Sequence, residues 1–355
     1  MKGLVLSGGK GVRLRPITHT RAKQLLPVAN RPILFYGLES LRASGIEDVG
    51  IVVGDTKEEI KNAVGDGSAF GLKVTYIEQE APLGLAHAVM VAEEFVNREP
   101  FVMYLGDNLL LEGIKPAVDK FEREGSNCQI LLAEVENPER FGVATVQDGR
   151  IVRLVEKPKN PESNLALVGV YLFDHHVFSA VKGIKPSLRG ELEITDAIQW
   201  LVDKSFDVRY DIVRGWWKDT GRIEDLLEAN RIILDSLSLR LDGEISASSS
   251  VDFKVVVEAG AKVIDSTIRG PALIGSETQI INSYIGPFTS VGSRCCLEGC
   301  EVEHSIIMSN SIIAHVAGRI SDSLVGENCH LYQVPQRPKA FRFMLGDNSQ
   351  VGIAN

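Results

Sequence analysis

The sequence has little that would indicate a membrane or secreted protein. Its 355 residues include five cysteines and no Cys-x-x-Cys pair, so neither a complete disulfide framework nor a zinc site built from paired cysteines is expected. No apolar run approaches the ~20 residues that a membrane-spanning helix needs, and the run after Met1 is too short for a signal peptide. We therefore expect a cytoplasmic protein with reduced cysteines.

Excess positive charge is also lacking. The formal net charge is -9 at pH 7 and the sequence pI is near 5.4, which predicts no broad attraction to nucleic acid or to an anionic membrane. Any phosphate site must therefore be local. The 44% hydrophobic and 24% charged residues are typical of a globular protein, and the length favours two domains over one.

The first part of the chain alternates short β-branched runs with amphipathic helical patterns. This alternation is typical of βαβ units and a mainly parallel sheet. Asp148-Gly149, between two apolar runs, predicts a tight hairpin turn, so the sheet should be mixed. We predict a Rossmann-like α/β domain over residues 1–240. Its predicted strands are 3–6, 49–53, 74–78, 101–105, 129–135, 142–146, 151–155 and 166–173, and its predicted helices are 33–43, 85–96 and 194–202.

A different regularity begins near residue 245. Aliphatic residues recur in triplets with steps of about six, and each triplet lies 17 residues after the last: Val251, Val257, Val263; Ile268, Ile274, Ile280; Ile285, Val291, Leu297. The pattern resembles a hexapeptide-repeat left-handed β-helix, predicted here for residues 241–355. Because a solenoid cannot close its own ends, we expect residues 334–355 to form a cap and the chain to form a homo-oligomer.

A glycine-rich loop follows the first predicted strand. Gly8, Gly9 and Gly11 would let backbone N–H groups surround phosphate oxygens, and Arg13 and Arg15 would add charged hydrogen bonds. The loop is not a Walker motif, because no Gly-Lys-Ser/Thr ends it, and it lacks the third glycine of a dinucleotide-binding fingerprint. It predicts an anion site without nicotinamide chemistry.

The residues around this loop carry a family resemblance. Gly8-Gly9-x-Gly11-x-Arg13-Leu14-x-Pro16-x-Thr18, Lys23-Gln24-Leu25-Leu26-Pro27-Val28 and Arg31-Pro32 resemble the signature of the sugar-phosphate nucleotidylyltransferases. The resemblance covers residues 1–235, and the β-helix is similar to that of the long form. It implies that a sugar 1-phosphate attacks a nucleoside triphosphate and releases pyrophosphate with Mg²⁺ as cofactor. The Lys-Gln form is similar to the thymidylyl branch, so dTTP and glucose 1-phosphate are the expected substrates, with UTP as the alternative.

The resemblance also implies residue roles. Asp107 follows an apolar strand, where open α/β sheets bind ligands, and Asp219 matches the second metal aspartate; two such carboxylates suit magnesium. Gln79 would read the base, because an amide both donates and accepts. Arg13, Lys23 and Lys157 would be catalytic. The implied nucleotide site is Leu6, Gly8, Gly9, Gly11, Gln79, Pro82, Gly84 and Asp107, and the implied sugar-phosphate site is Gly142, Glu156, Lys157, Val168, Tyr171 and Trp217.

Two positions depart from the family pattern, and two other functions stay open. Val12 stands where Thr is usual and Phe141 where Tyr is common, so one triphosphate contact and one sugar contact would each lose a hydroxyl. A catalytically silent sugar-nucleotide sensor is one alternative. The other is an added acetyltransferase activity of the β-helix, with His304 or His315 as base.

Overall fold

The computed structural model describes residues 1–9, 11–333, 343 and 345–353. Residues 334–342, 344, 354 and 355 of the predicted cap over 334–355 therefore lie outside the described residues. The described residues form two compact units. The first comprises those within Met1–Lys10, Arg21–Leu25 and Ile33–Asp219, and the second those within Gly11–Thr20, Leu26–Pro32 and Thr220–Asn355.

The elements before the β-helix alternate between strand and helix, as predicted. The strands are β1 Lys2–Leu6, β2 Pro27–Val28, β3 Arg31–Pro32, β4 Asp48–Val53, β5 Lys73–Glu78, β6 Phe101–Leu105, β7 Asn108–Leu110, β8 Cys128–Glu134, β9 Gly142–Gln147, β10 Arg150–Glu156, β11 Leu165–Phe173, β12 Val208–Ile212 and β13 Trp217–Asp219. The helices are α1 Ile33–Ala43, α2 Lys57–Val64, α3 Leu85–Val91, α4 Glu93–Val96, α5 Lys115–Glu124, α6 Val177–Gly183, α7 Ile194–Asp203 and α8 Ile223–Asp235.

Nine of these strands form one mixed sheet in the first unit, with β10-β9-β11-β6-β1-β4-β5 as its main path and β8 and β12 joined beside β11. Strands β6, β1, β4 and β5 run parallel, whereas β11 is antiparallel to β6, β8 and β9. The central strands β1, β4 and β6 are buried at all but one end residue each, as expected for parallel strands that are covered on both faces. The mixed sheet predicted from the sequence is therefore confirmed.

Most predicted element bounds agree with the structure, and one helix does not. Asp148 and Gly149 have φ angles of 49° and 74°, as a type I′ hairpin turn requires. The predicted helix 85–96 is divided into α3 and α4 at Ala92, which has φ -89° and ψ 1°. There the Ala92 N–H donates to the Val89 carbonyl three residues back, at 3.1 Å, so the turn is tighter than an α-helix.

The second unit contains the predicted solenoid. Its strands form three parallel sheets, as expected for a left-handed β-helix. They are β14 Arg240–Leu241, β15 Glu244–Ile245, β16 Ser250–Val251, β17 Val255–Val257, β18 Lys262–Ile264, β19 Thr267–Ile268, β20 Ala272–Ile274, β21 Gln279–Ile281, β22 Tyr284–Ile285, β23 Thr289–Val291, β24 Cys296–Glu298, β25 Glu301–Glu303, β26 Ile306–Ile307, β27 Ile312–Ala314, β28 Arg319–Ser321, β29 Leu324–Val325 and β30 His330–Tyr332.

The register of the coils confirms the repeat. Val257 pairs with Ile274, and Ile274 with Val291, so each step is one coil of 17 residues. The inward aliphatic side chains of the triplets are fully buried, except that of Val251, which is half-buried. Gly275 lies where one coil of the β-helix contacts the next. A Cβ there would be 2.6 Å from the carbonyl carbon of Gly292, so only glycine fits.

Among the described residues, no helix is long and apolar enough to span a membrane.

Candidate active site

The glycine loop begins at the carboxyl end of β1, between the ends of β4 and β6. The Ser7 N–H donates to the Val52 carbonyl at 2.8 Å, and the Gly106 N–H donates to the Leu6 carbonyl at 3.0 Å. Successive parallel strands thus release their loops at one edge, the usual ligand edge of such a sheet. Leu6 is buried in the sheet, so only its main chain is available to a ligand.

Two side chains pack directly on the backbone of this loop. A Cβ on Gly8 would lie 3.3 Å from Gln79 Oε1, and one on Gly9 would lie 2.8 Å from Lys23 Cε. Glycine is therefore needed here for close approach rather than for an unusual φ angle. The structure brings together four of the residues predicted from the sequence: Gly8, Gly9, Lys23 and Gln79.

The amide of Gln79 is oriented by its own surroundings. Its Nε2 atom donates to the Gly84 carbonyl at 3.2 Å and lies 3.0 Å from His87 Nδ1. Gly84 has φ 106° and ψ 171°, a conformation open almost only to glycine. Pro82 is exposed just before it. The loop 82–84 and Gln79 thus form one hydrogen-bonded unit, and His87 is a contact that the sequence did not suggest.

The two predicted metal ligands lie on neighbouring strands. Asp107 follows β6 and is buried, and Asp219 ends β13. Strand β13 is antiparallel to β7, with Asp219 paired to Asn108, so Asp219 lies opposite the residue that follows Asp107. The Trp217 Nε1–H donates to Asn108 Oδ1 at 2.7 Å, and Asn108 Nδ2 donates to Asp107 Oδ1 at 3.4 Å. Trp217 therefore supports the acidic pair.

A cation already neutralises Asp107. The Lys23 ammonium forms an ion pair with its carboxylate. Burial alone would raise the pKa of the Asp107 carboxyl, but the charge and hydrogen bond of Lys23 lower that pKa below its usual value. An ionised, buried carboxylate supplies hard oxygen donors, which fit a divalent cation such as Mg²⁺, and Asp219 is the predicted second donor.

The predicted sugar-phosphate residues meet at the hairpin of β9 and β10. Glu156 pairs with Gly142, and a Cβ on Gly142 would lie 2.6 Å from Thr195 Cγ2 and 3.1 Å from Glu156 Oε2. Lys157 Nζ is 3.3 Å from Glu156 Oε1, and the Lys157 N–H donates to the Phe141 carbonyl at 2.9 Å. Gly142, Thr195 and Lys157 thus surround the Glu156 carboxylate at the end of the β9–β10 hairpin.

Tyr171 and Val168 both lie on β11, but they belong to different buried clusters. Val168 is fully buried in the core, whereas Tyr171 is 4% exposed. Burial raises the pKa of the Tyr171 phenol, and the negative charges of Glu156 and Asp219 raise it further. The phenol is thus a neutral hydrogen-bonding group that feels both the sugar-side and the metal-side carboxylates.

Arg189 is a contact of Glu156 that the sequence reasoning missed. Its guanidinium lies 3.4 Å from Glu156 Oε1, 3.2 Å from Glu191 and 3.5 Å from Glu193. Only the density of charges in Arg189-Gly190-Glu191-Leu192-Glu193 could have drawn attention to it. This loop is tied to the loop 82–84: the Leu192 N–H donates to the Leu83 carbonyl at 2.7 Å, and the Ala86 N–H to the Leu192 carbonyl at 3.0 Å.

Gly11 and Arg13 belong to the second compact unit. Gly11 has φ 61° and begins a 3-10 turn over Val12–Leu14. The Leu14 N–H donates to the Gly11 carbonyl at 2.9 Å, and the Thr18 hydroxyl donates to it at 2.7 Å. Arg13 is exposed on this turn, so its guanidinium is accessible to a ligand.

The two histidines of the β-helix are not arranged alike. The ring of His304 lies against that of Phe288, with centroids 5.2 Å apart. His315 has a largely exposed side chain and its Nε2 is 3.8 Å from Glu298 Oε1. Neither contact by itself indicates acyl transfer.

Comparisons with known proteins agree with this geometry. Residues 2–236 match the nucleotidyl transferase family. The chain is similar to two glucose-1-phosphate thymidylyltransferases: one from Streptomyces griseus, 51% identical over 100% of both chains, and one from Streptomyces antibioticus, 53% identical over 99% of both. It is also similar to a solved structure from Bacillus anthracis described as a glucose-1-phosphate thymidylyltransferase, with 38% identity and a TM-score of 0.63, covering 68% of this chain and 97% of that one.

Proposed function

Because this chain belongs to the nucleotidyl transferase family, we propose that it transfers the thymidylyl group of dTTP to glucose 1-phosphate. Family members of this kind act on a sugar 1-phosphate and a nucleoside triphosphate and generally use a divalent metal. The products are dTDP-glucose and pyrophosphate. The observation that carries the proposal is the ion pair of Lys23 with buried Asp107 beside the Gly9 backbone. The full-length similarity to two thymidylyltransferases supports the choice of substrates.

The site residues divide between the two substrates. Leu6, Gly8, Gly9 and Gly11 offer main-chain groups to the triphosphate, and Gln79, Pro82 and Gly84 receive the base. On the other side, Glu156 accepts hydrogen bonds from sugar hydroxyls, and Lys157 pairs with the sugar phosphate. Gly142, Val168, Tyr171 and Trp217 shape the pocket. The contacts of Gln79 with Gly84 and His87 support a fixed amide orientation.

Charge determines the mechanism. The attacking oxygen belongs to a phosphate monoester whose second pKa is about 6, so it is already ionised at neutral pH and needs no general base. The barrier is the approach of this anion to the α-phosphorus of another anion, so alignment and electrostatic stabilisation carry the catalysis. Arg13, Lys23 and Lys157 supply positive charge. Mg²⁺ held by Asp107 and Asp219 would neutralise charge on the triphosphate.

The first experiment measures pyrophosphate release. Purified protein is mixed with dTTP, UTP or another nucleoside triphosphate and with glucose 1-phosphate or another sugar 1-phosphate, with and without Mg²⁺. The highest kcat/KM is expected for dTTP with glucose 1-phosphate, and no turnover is expected without a divalent cation. Preference for UTP would replace the nucleotide assignment, and absence of a nucleotide sugar with every pair would refute the proposal. Release of free CoA from acetyl-CoA with an amino-sugar phosphate would add the acetyltransferase activity.

The second experiment removes the two carboxylates. Asp107→Asn combined with Asp219→Asn should abolish turnover, because the metal loses both protein ligands. The control is Asp119→Asn, which removes an exposed carboxylate of α5 whose Oδ1 atom is 2.8 Å from Lys115 Nζ. Equal activity of the double variant and the control would refute the proposed metal site.

Arg13 needs its own test. Arg13→Ala should lower kcat by orders of magnitude while the melting temperature stays at that of the wild type, because the side chain is exposed. Arg98→Ala, another exposed arginine, is the control. Near-normal turnover of Arg13→Ala would remove this residue from the mechanism.

A further inference from the structure

A short hairpin of the second unit directly follows the Lys23-Gln24 pair in the chain. Strand β2 pairs with β3, and Ala29 and Asn30 form the turn between them. Both turn residues have positive φ angles, 47° and 60°. Asparagine tolerates this conformation, but alanine does not favour it, because its Cβ approaches the following carbonyl oxygen. The turn therefore depends on contacts from elsewhere in the unit.

Asn230 of α8 supplies the main contact. Its side chain is fully buried. Its Oδ1 atom accepts a hydrogen bond from the Ala29 N–H at 2.8 Å and another from the Ser290 hydroxyl at 3.0 Å. Its Nδ2 atom donates to the Phe288 carbonyl at 3.2 Å. One amide thus joins the hairpin turn to a coil of the β-helix.

A second polar contact and an apolar cluster reinforce the connection. Asn30 Nδ2 donates to the carbonyl of Val291 at 2.6 Å. Ala29 is packed in one buried cluster with Leu234 of α8 and with two outward side chains of the β-helix, Val256 and Leu273. Consecutive turn residues are therefore bound to consecutive parts of strand β23, one through Asn230 and one directly.

Alternate residues of the segment between Lys23 and this turn are buried. Gln24 and Leu26 are each 1% exposed and Val28 is fully buried, so a shift of the turn must move packed residues before it can be absorbed. Lys23 itself is the cation that pairs with Asp107. Small displacements of a catalytic cation have large effects on rate.

We propose that Asn230 is a positioning residue, through which the β-helix holds the turn of the hairpin that follows Lys23 a few residues later in the chain. The β-helix then contributes to catalysis by holding this hairpin, in addition to any role in assembly. The inference rests on the proposed function for its kinetic readout.

The test uses the full-length protein with Asn230→Ala. The expected result is a kcat about tenfold lower, because a 1 Å misplacement of a catalytic group can cost up to ~10²-fold, with a smaller change in either KM. Ser283→Ala is the matched control: Ser283 is also buried, and its hydroxyl donates to Ile281 and accepts from the Cys300 N–H within the β-helix, far in sequence from the hairpin. The control should lose melting temperature and keep kcat.

Rescue separates positioning from general destabilisation. Adding Ala29→Gly to Asn230→Ala removes the unfavourable Cβ from the turn and should recover several-fold in kcat. If Asn230→Ala does not fold, Ser290→Ala removes one of the two hydrogen bonds between Asn230 and the β-helix and should lower kcat about threefold, within the effect of one misplaced group. Wild-type kcat in folded Asn230→Ala, or an equal loss of kcat in Ser283→Ala, would overturn the proposal.

Amide hydrogen exchange gives a readout that does not need turnover. The Ala29 N–H, bonded to Asn230, should exchange at least tenfold faster in Asn230→Ala than in Ser283→Ala. If the wild type forms no nucleotide sugar with any substrate pair, the proposed function fails, and this exchange result alone decides the structural inference. Unchanged protection of residues 22–32 would refute it.

Discussion

Gly84 provides a sharp test of how the two substrate loops are joined. A Cβ at this position would lie 2.4 Å from the carbonyl oxygen of Leu192 and 2.7 Å from its nitrogen. Both are backbone atoms, so neither can move without moving the loop that carries Arg189. The φ of 106° adds strain of ~1–3 kcal/mol for any residue with a Cβ. Gly84→Ala must therefore displace one loop from the other.

The magnitude follows from the contacts that would be lost. The hydrogen bonds from Leu192 to Leu83 and from Ala86 to Leu192 contribute about 1 kcal/mol each. Together with the strain, the destabilisation is about 3–5 kcal/mol, below the total stability of about 5–15 kcal/mol typical of a native protein. We expect a folded variant with kcat/KM for glucose 1-phosphate lowered up to ~10²-fold.

The assay is steady-state pyrophosphate release with each substrate varied in turn. Gly125→Ala is the matched control, because Gly125 also has a positive φ, 63°, and a Cβ there would meet no atom within 4 Å. It carries the cost of the left-handed conformation alone, ~1–2 kcal/mol. If Gly84→Ala keeps kcat/KM within twofold of Gly125→Ala, the coupling of the two loops through Leu192 is refuted.

Three further results are expected. Lys23→Met should leave the buried Asp107 carboxylate uncompensated and cost about 3–5 kcal/mol of stability. Adding Asp107→Asn should restore the melting temperature but not turnover. Recovery of turnover in the double variant would contradict a catalytic role for both residues. Burial raises the pKa of the Glu193 carboxyl despite its hydrogen bond from Ser187. The folded state therefore binds that proton more tightly than the unfolded state, and stability falls as pH rises from the usual carboxyl pKa through the raised one. In a melting series across pH, Glu193→Gln should melt higher than wild type above the usual carboxyl range and lose that advantage in acid. Of the five free thiols, only the half-exposed Cys296 and Cys329 should react with Ellman's reagent in the native protein, and rapid reaction of a third would contradict the described packing.

Local patterns predicted most strands of the sheet, the helices α1 and α7 and the β-helix, but not α2, α5, α6 and α8. Alternating runs predicted the mixed sheet, Asp148-Gly149 its hairpin, and the 17-residue spacing the coils of the β-helix. The strands that position the metal carboxylates were not predicted, because β7 and β13 have only three residues each. Such short segments carry no usable periodicity.

The contacts that organise the candidate site are long-range, and for that reason no local pattern signals them. Arg189 reaches Glu156 across 33 residues, Trp217 reaches Asn108 across 109, and Asn230 reaches Ala29 across 201. Family resemblance could name Asp107, Asp219 and Glu156, and also Lys23, Lys157 and Trp217, because these stand in motifs, but it gave no reason to choose Asn108, Arg189 or His87.

The sequence by itself determined the longer strands of the sheet, the helices α1 and α7 and the coils of the β-helix, since hydrophobic periodicity and turn residues act over a few positions. It also contains the motifs that resemble those of the sugar-phosphate nucleotidylyltransferases. Only the tertiary structure decided which charges meet, because Lys23 and Asp107 are brought together by the sheet. It alone also decided that Asn230 joins the hairpin to the β-helix, since a buried amide forms hydrogen bonds with whichever groups the packing places within reach.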